Sequence, residues 1–335
     1  MTQTQERTRP GPTVEGLDKR LLEEIQRRFP LEERPYAILG ERLGLTEEEV
    51  RFRLEKLKEQ GILRQISAIF HPPALGYQTT LVAAAVPEDL VERAAQVINA
   101  YPGVSHNYLR EHFFNLWFTI AVPPGEDLEE KVARLLKEAQ AERYLLLPIK
   151  RVFRISLVLD LTENDEETVP GPRGEAIRKP ELNEKTISLV RITQEDLPRE
   201  PRPFEVWGRG LGLSGAEILN WLRQGLKDGF IRRFAGLVRH TRAGFRGNVM
   251  VAWRVPPERI TEIGQVLAGE KKITHCYERQ SYPDWPYNLY TMIHAREEKE
   301  ALDYVKGLSS RYQISDYLPL VTRHEFKKIR LKLFW

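Results

Sequence analysis

The chain repeats itself, and the repeat limits its architecture more than any other feature. Gly44-Leu45-Thr46 returns as Gly212-Leu213-Ser214, Gly61-Ile62-Leu63-Arg64 as Gly229-Phe230-Ile231-Arg232, and Leu75-Gly76-Tyr77 as Ala243-Gly244-Phe245, each 168 residues later. Val104-Ser105-His106-Asn107-Tyr108-Leu109-Arg110 matches Ile273-Thr274-His275-Cys276-Tyr277-Glu278-Arg279 at 169 residues, and Phe114-Asn115-Leu116-Trp117 matches Tyr287-Asn288-Leu289-Tyr290 at 173. The second copy therefore carries four more residues between these strings. Two diverged copies of one unit stand in tandem.

Each copy divides in two. Leu17, Leu21, Leu22 and Ile25 form an apolar stripe at helical spacing. A second helix is expected after Pro35, ending at Gly44. Thr46 then caps a third, with Glu49 in capping-box position, which stops at Gly61. Residues 64–70 read as a strand. Three helices, a Gly-containing turn and a strand make a winged helix-turn-helix. The second part of the copy alternates strand and helix: strand 79–86, helix 87–101, strands 104–110 and 115–122, helix 127–140, strand 144–149. That is the β-α-β-β-α-β order of a ferredoxin-like sandwich. The second copy repeats it over 248–318, and 326–333 reads as a closing strand. The fold class is α+β. The expected layout is a disordered tail at 1–15, winged helix-turn-helix 16–78 and sandwich 79–161. A linker at 162–181 leads to helix-turn-helix 182–247 and sandwich 248–335.

Composition excludes several classes. Of 335 residues, 51 are Lys or Arg and 48 Asp or Glu, so the net charge of +3 is too even for a strongly basic nucleic-acid wrapper. The single cysteine, Cys276, excludes an internal disulfide framework and any CxxC pair. Residues 1–15 lack the apolar core of a signal peptide. The apolar run 81–86 is far below the ~20 residues that span a bilayer. A soluble cytoplasmic protein with no membrane partner is expected. No HExxH, GxxxxGK[ST] or GxSxG pattern occurs.

The third helix argues against DNA reading. It opens Glu47-Glu48-Glu49, and residues 46–60 hold five acidic side chains against Arg51, Arg53, Lys56 and Lys58. Carboxylates there repel the phosphates that normally supply most of the affinity. No specific DNA binding is expected, and the module is read as structural or as a homodimer contact, through either the winged-helix or the sandwich faces.

The candidate site lies on one strand of each sandwich. Side chains at i, i+2 and i+4 share a strand face, so His106, Tyr108 and Arg110 stand together, as do His275, Tyr277 and Arg279. Such a row suits an anionic substrate. Arg grips carboxylates in a bidentate way, His moves a proton or ligates a metal near neutral pH, and Tyr orients or donates. His112 extends the first row if the strand continues. Arg323-His324 and Lys150-Arg151 add charge at equivalent strand ends. His71 and His240 fall near the wings, and His294 ends a strand of the second copy.

The winged helix followed by a ferredoxin-like sandwich resembles the Lrp/AsnC regulators. More specifically, His106-Asn107-Tyr108-Leu109-Arg110-Glu111-His112 leading to Asn115-Leu116-Trp117-Phe118-Thr119 resembles a subunit of siroheme decarboxylase. So does His275-Cys276-Tyr277-Glu278-Arg279 leading to Tyr282-Pro283-Asp284-Trp285-Pro286-Tyr287-Asn288-Leu289. The two subunits are fused here, and the likeness covers nearly the whole chain. It implies loss of carbon dioxide from the acetate side chains at ring positions 12 and 18 of siroheme, giving 12,18-didecarboxysiroheme in haem biosynthesis, by the branch serving denitrification. It implies catalytic roles for His106, Tyr108, Arg110 and His112, and substrate binding by His275, Tyr277, Arg279, Trp117, Trp285, Tyr290 and Arg323. Phe118 is a further apolar wall. His275 is a candidate axial ligand of the siroheme iron. No separate cofactor is expected, because the substrate brings its own iron. The alternative is a ligand-responsive transcription regulator whose effector occupies the same face.

Overall fold

The computed structural model describes residues 16–155, 177–238, 247–295 and 297–335. The tail 1–15, most of the linker and His240 lie outside the described residues. The first copy runs α1 (Gly16–Arg27), α2 (Pro35–Leu43), α3 (Glu47–Glu59), β1 (Leu63–Phe70), β2 (Gln78–Ala85), α4 (Val91–Ala100), β3 (Val104–Arg110), β4 (Leu116–Val122), α5 (Leu128–Glu138), β5 (Arg143–Leu147) and β6 (Ile149–Ile155). The second runs α6 (Glu184–Thr193), α7 (Pro203–Arg209), α8 (Gly215–Asp228), β7 (Ile231–Val238), β8 (Gly247–Trp253), α9 (Ile260–Gly269), β9 (Ile273–Arg279), β10 (Leu289–Ala295), α10 (Glu298–Tyr312) and β11 (Tyr317–Lys328). The expected order holds in both copies. The closing strand at 326–333 does not form separately, because β11 continues unbroken to Lys328.

The copies do not fold side by side. Like parts combine: residues 16–70 join 183–238 in one compact unit, and 71–155 and 177–182 join 247–295 and 297–335 in another. In the helical unit, both capping boxes form, Thr46 with Glu49 and Ser214 with Glu217. Gly40 and Gly208 sit where a Cβ would run into the carbonyls of Leu45 and Leu213, so the tight turn before the third helix requires glycine. Each expected wing is a single strand. A lone strand leaves its hydrogen-bonding groups unmet, and β1 meets this need by pairing antiparallel with β7 of the other copy.

Three of the four cations of α3 are engaged within this unit. Arg53 bonds Asp18 at 2.9 Å, Lys58 bonds Asp196 at 2.6 Å, and Arg51 donates to the Arg199 carbonyl at 3.1 Å. Glu47 pairs with Arg34. In α8, Trp221 packs on Phe70 and Phe230 instead of facing solvent as a base reader. With Arg53 and Lys58 paired to carboxylates, Arg51 held by a carbonyl and Glu47–Glu49 at its start, the helix offers little net positive charge to displace counterions from a duplex. We therefore expect no sequence-selective shift of duplex DNA at physiological salt. A nanomolar operator complex in a gel-shift assay would overturn this.

The sandwich unit holds a nine-stranded sheet ordered β5-β2-β4-β3-β11-β8-β10-β9-β6. Neither copy completes its own sheet. β5 pairs with β2, and after Pro148 the chain crosses so that β6 pairs with β9 of the second copy. β11 does both in one strand: Tyr317–Val321 pairs with β8, and 322–328 pairs with β3 of the first copy. Helices cover one face of each half, over cores centred on Phe118 and Ile120 in the first and on Trp253 and Ile293 in the second. The opposite faces share a third core built from both copies: Leu81, Ala83, Trp117 and Leu147 meet Met250, Ala252, Trp285, Tyr290 and Leu320.

Candidate functional site

The two rows lie on this shared inner face. Tyr108 stands opposite Trp117, and Tyr277 opposite Tyr290, and facing residues in an antiparallel pair point the same way. A β-bulge precedes each histidine. The register steps from Val104↔Ile120 to His106↔Thr119, and from Ile273↔Ile293 to His275↔Met292. The extra residue is a hydroxyl in both copies. Ser105 Oγ lies 2.9 Å from His106 Nδ1, and Thr274 Oγ1 lies 2.9 Å from His275 Nδ1. Ser105 is held in turn 2.8 Å from Thr119 Oγ1. Such outer partners fix ring orientation. Sequence reasoning missed these hydroxyls, although the signal was present: Ser-His and Thr-His align in the repeat.

Both arginines are buried, Arg110 to 4% exposure and Arg279 to 8%. Their settings match. Arg110 Nη1 donates to the Leu320 carbonyl at 2.6 Å and to Thr322 Oγ1 at 3.1 Å. Arg279 Nη1 donates to the Leu147 carbonyl at 2.6 Å. Arg110 lies over the Tyr108 ring at 5.3 Å, and Arg279 over Tyr277 at 5.1 Å and Tyr290 at 5.8 Å. Among the described residues neither guanidinium has a carboxylate partner, and Nε of each is buried without a bond. Desolvation pulls Arg110 down to about 10 and lowers Arg279 too. A buried cation without a counterion is costly, and an anionic ligand removes that cost.

Histidines of both copies converge. Burial first, then the charges of His294, His106, Arg279 and Arg154, pull His275 down to about 4. It is a neutral imidazole at pH 7, with Nδ1 occupied by Thr274. The unfolded chain takes up this proton near pH 6.5, while the folded chain resists until about 4. Stability from this group is complete above 6.5 and is lost as pH falls toward 4. We expect His275→Gln to flatten the decline in denaturant midpoint between pH 7 and 4.5. An unchanged decline would show that His275 does not contribute. Cys276, beside it, points to the helix-covered side, where burial pushes its thiol up to about 12.

Other expected members fall elsewhere. The strand ends at Arg110, so His112 lies in the following turn and does not extend the row. Its Nδ1 accepts the Phe114 backbone N–H at 3.0 Å, and its ring stacks on Phe114 and meets Trp285 edge-on at 5.4 Å. Burial lowers its pKa from 6.5. Trp117, Trp285 and Tyr290 are 1–3% exposed. They back the site as packed core and offer no open wall, and Phe118 points into the other core. Trp285, from the inserted segment, donates to Tyr290 Oη at 2.6 Å, while Tyr282 donates to the Leu146 carbonyl at 2.6 Å. Arg323 is an exposed ion-pair centre held by Glu111 and Glu298. Asn115 and Asn288, central to the motif strings, are structural: each bonds both backbone groups of Val86 or Val255 at a strand end.

Fold and site together define a ligand-binding protein of AsnC type, and the AsnC-like ligand binding domain family matches residues 74–154 and 242–327. The siroheme decarboxylase NirDL-like HTH domain matches 18–64 and 187–232. The siroheme decarboxylase of Hydrogenobacter thermophilus is 36% identical over 316 residues, 94% of both chains. The siroheme decarboxylase alpha subunit of Desulfovibrio desulfuricans is 41% identical over 152 residues, 45% of this chain and 87% of that subunit. The crystal structure of the siroheme decarboxylase NirDL in co-complex with an iron-uroporphyrin III analogue has a TM-score of 0.78 at 33% identity, covering 96% of this chain and 95% of that one. The chain belongs to the siroheme decarboxylase family and thus to the carboxy-lyases. Among the described residues no helix is long and apolar enough to cross a membrane.

Proposed function

We propose that this chain decarboxylates the acetate side chains at ring positions 12 and 18 of siroheme, releasing carbon dioxide and leaving 12,18-didecarboxysiroheme for the denitrification branch of haem synthesis. The observation that carries this reading is the matched pair of buried guanidiniums without carboxylate partners, on one face with His106 and His275. Siroheme brings eight carboxylates. Arg110 and Arg279 bind carboxylates and set the ring plane. The bond to the departing carboxylate breaks, its electron pair stays on the methylene, and the conjugated macrocycle delocalises it. One proton then makes a methyl group. The electrons balance without an oxidant, so the reaction asks for no separate cofactor.

The proton donors are His106 and His112, but not at one carboxylate. Four residues of strand separate the His106 and Arg110 backbones by about 13 Å; their side chains flank the Tyr108 ring, 6.1 Å from the His106 ring and 5.3 Å from the Arg110 guanidinium, and His112 lies in the turn beyond Arg110. This span fits two acetates of one macrocycle better than one. His275, neutral and oriented through Nδ1, is suited to hold the siroheme iron through Nε2. No homodimer is needed to complete the site, because each copy already completes the sheet of the other. The test is anaerobic incubation with siroheme. Two equivalents of carbon dioxide and the 12,18-dimethyl product support the reading; a stable complex without carbon dioxide release would favour an effector-binding regulator instead.

A further inference from the structure

The exchanged strands make the two rows unequal. In register, Thr322, Glu325 and Lys328 of β11 lie opposite Arg110, Tyr108 and His106. At the matching positions of the other half, Ile149, Val152 and Ile155 of β6 lie opposite Arg279, Tyr277 and His275. The bulges also correspond, so the comparison is residue for residue. Between the inward positions, Lys327 donates to the Asn99 carbonyl at 2.6 Å, and Arg154 to the Ala268 carbonyl at 2.7 Å, so both hold the end of a helix. The backbone frame is the same in the two halves. What differs is the lining.

On the first half the lining is charged. Lys328 Nζ lies 3.6 Å from Glu325, and both side chains are about two-fifths exposed. On the second half Ile149 and Val152 are 42% and 48% exposed. Two open apolar side chains beside a buried guanidinium are not packed core. They form an open apolar surface beside a cation.

Resting on the functional reading above, we propose that Lys328 is a specificity-determining residue that binds a siroheme carboxylate beside His106, while Ile149 and Val152 carry the apolar face of the macrocycle. Glu325 holds Lys328 in place when the site is empty and competes with the incoming carboxylate. A substrate rich in carboxylates gains from Lys328. One with few does not.

The test is absorbance titration of the full chain with two probes: iron uroporphyrin III, with eight carboxylates, and iron mesoporphyrin, with two. Lys328→Met is expected to weaken the octacarboxylate about tenfold, the value of one partly exposed charge-assisted contact, and to leave the dicarboxylate unchanged. Lys328→Arg should restore binding, and Glu325→Gln should tighten the octacarboxylate severalfold. Val152→Ser should weaken both probes alike. If Lys328→Met binds both probes as wild type does, or weakens both equally, the proposal is overturned and the lysine is a surface ion pair. If the wild type binds neither probe, the functional reading fails, and this inference with it.

Discussion

His106→Ala should retain siroheme and stop halfway. The expected result of a single turnover is one carbon dioxide per siroheme, with the second lost 10²–10⁴-fold more slowly, the usual consequence of removing a general acid. His112→Ala should also stop halfway, but with the other acetate intact. The two monodecarboxylated products are then isomers, separable by chromatography and assigned by NMR. The warrant is distance: the two imidazoles stand on opposite sides of Arg110, one on β3 and one in the turn after it. A proton donor must come within about 3 Å of the atom it serves, so one fixed macrocycle cannot present the same carbon to both. If both variants accumulate the same isomer, the histidines act on one site and the two-station reading fails.

The pH profile separates the steps further. Burial lowers the His112 pKa below 6.5, so little of it is protonated at pH 7. The step it serves should quicken as pH falls below 6.5, and His112→Ala should abolish that rise. Ser105→Ala leaves the His106 ring in place but removes the hydroxyl at Nδ1. It should slow the His106 step by far less than His106→Ala and shift its pH dependence. A Ser105→Ala profile identical to wild type would show that the hydroxyl does not tune the ring.

The repeat, the element order and the inward His-Tyr-Arg rows were legible because each is local. Capping residues, strand alternation and turn glycines act within a few positions of themselves. The strand exchange was not legible. Residues 149–155 and 322–328 are amphipathic strands whose pattern serves equally well beside β2 or β9, β8 or β3, and the choice depends on a partner more than 100 residues away. Glu325 and Lys328 were therefore invisible as site residues, although Arg323, at the bulge just past the switch of partners, drew attention. The aromatics misled for a related reason. Trp117 and Phe118 read alike as walls, but consecutive strand residues face opposite ways, and both of these faces are closed. The His112 expectation failed because the Phe114 N–H turns back onto its Nδ1 and ends the strand at Arg110.

Arg279→Leu tests the largest electrostatic feature of the site, and its geometry gives two effects of opposite sign. Removing the guanidinium leaves the Leu147 carbonyl without its 2.6 Å donor, a loss of about 1–3 kcal/mol for a buried acceptor. It also removes a buried cation with no carboxylate partner, and replacing such a charge by an apolar side chain is often neutral or favourable. The empty protein should therefore change little in stability, by about 1 kcal/mol or less in denaturant midpoint terms. Binding is different. The bound carboxylate would keep its desolvation cost and lose the buried cation that faces it on that half, so siroheme affinity should fall by about 1.5–3 kcal/mol, ten- to more than a hundredfold. Arg110→Leu should show the same pattern with a greater stability loss, since that guanidinium holds Thr322 as well as the Leu320 carbonyl. Arg279→Lys should recover little, because a lysine cannot bond the Leu147 carbonyl and a carboxylate in the guanidinium's fixed fork. Denaturation of the empty protein and titration with siroheme, measured on the same preparations, separate the two effects. A variant that loses stability but binds siroheme with wild-type affinity would make the arginine a staple of the strand crossing alone.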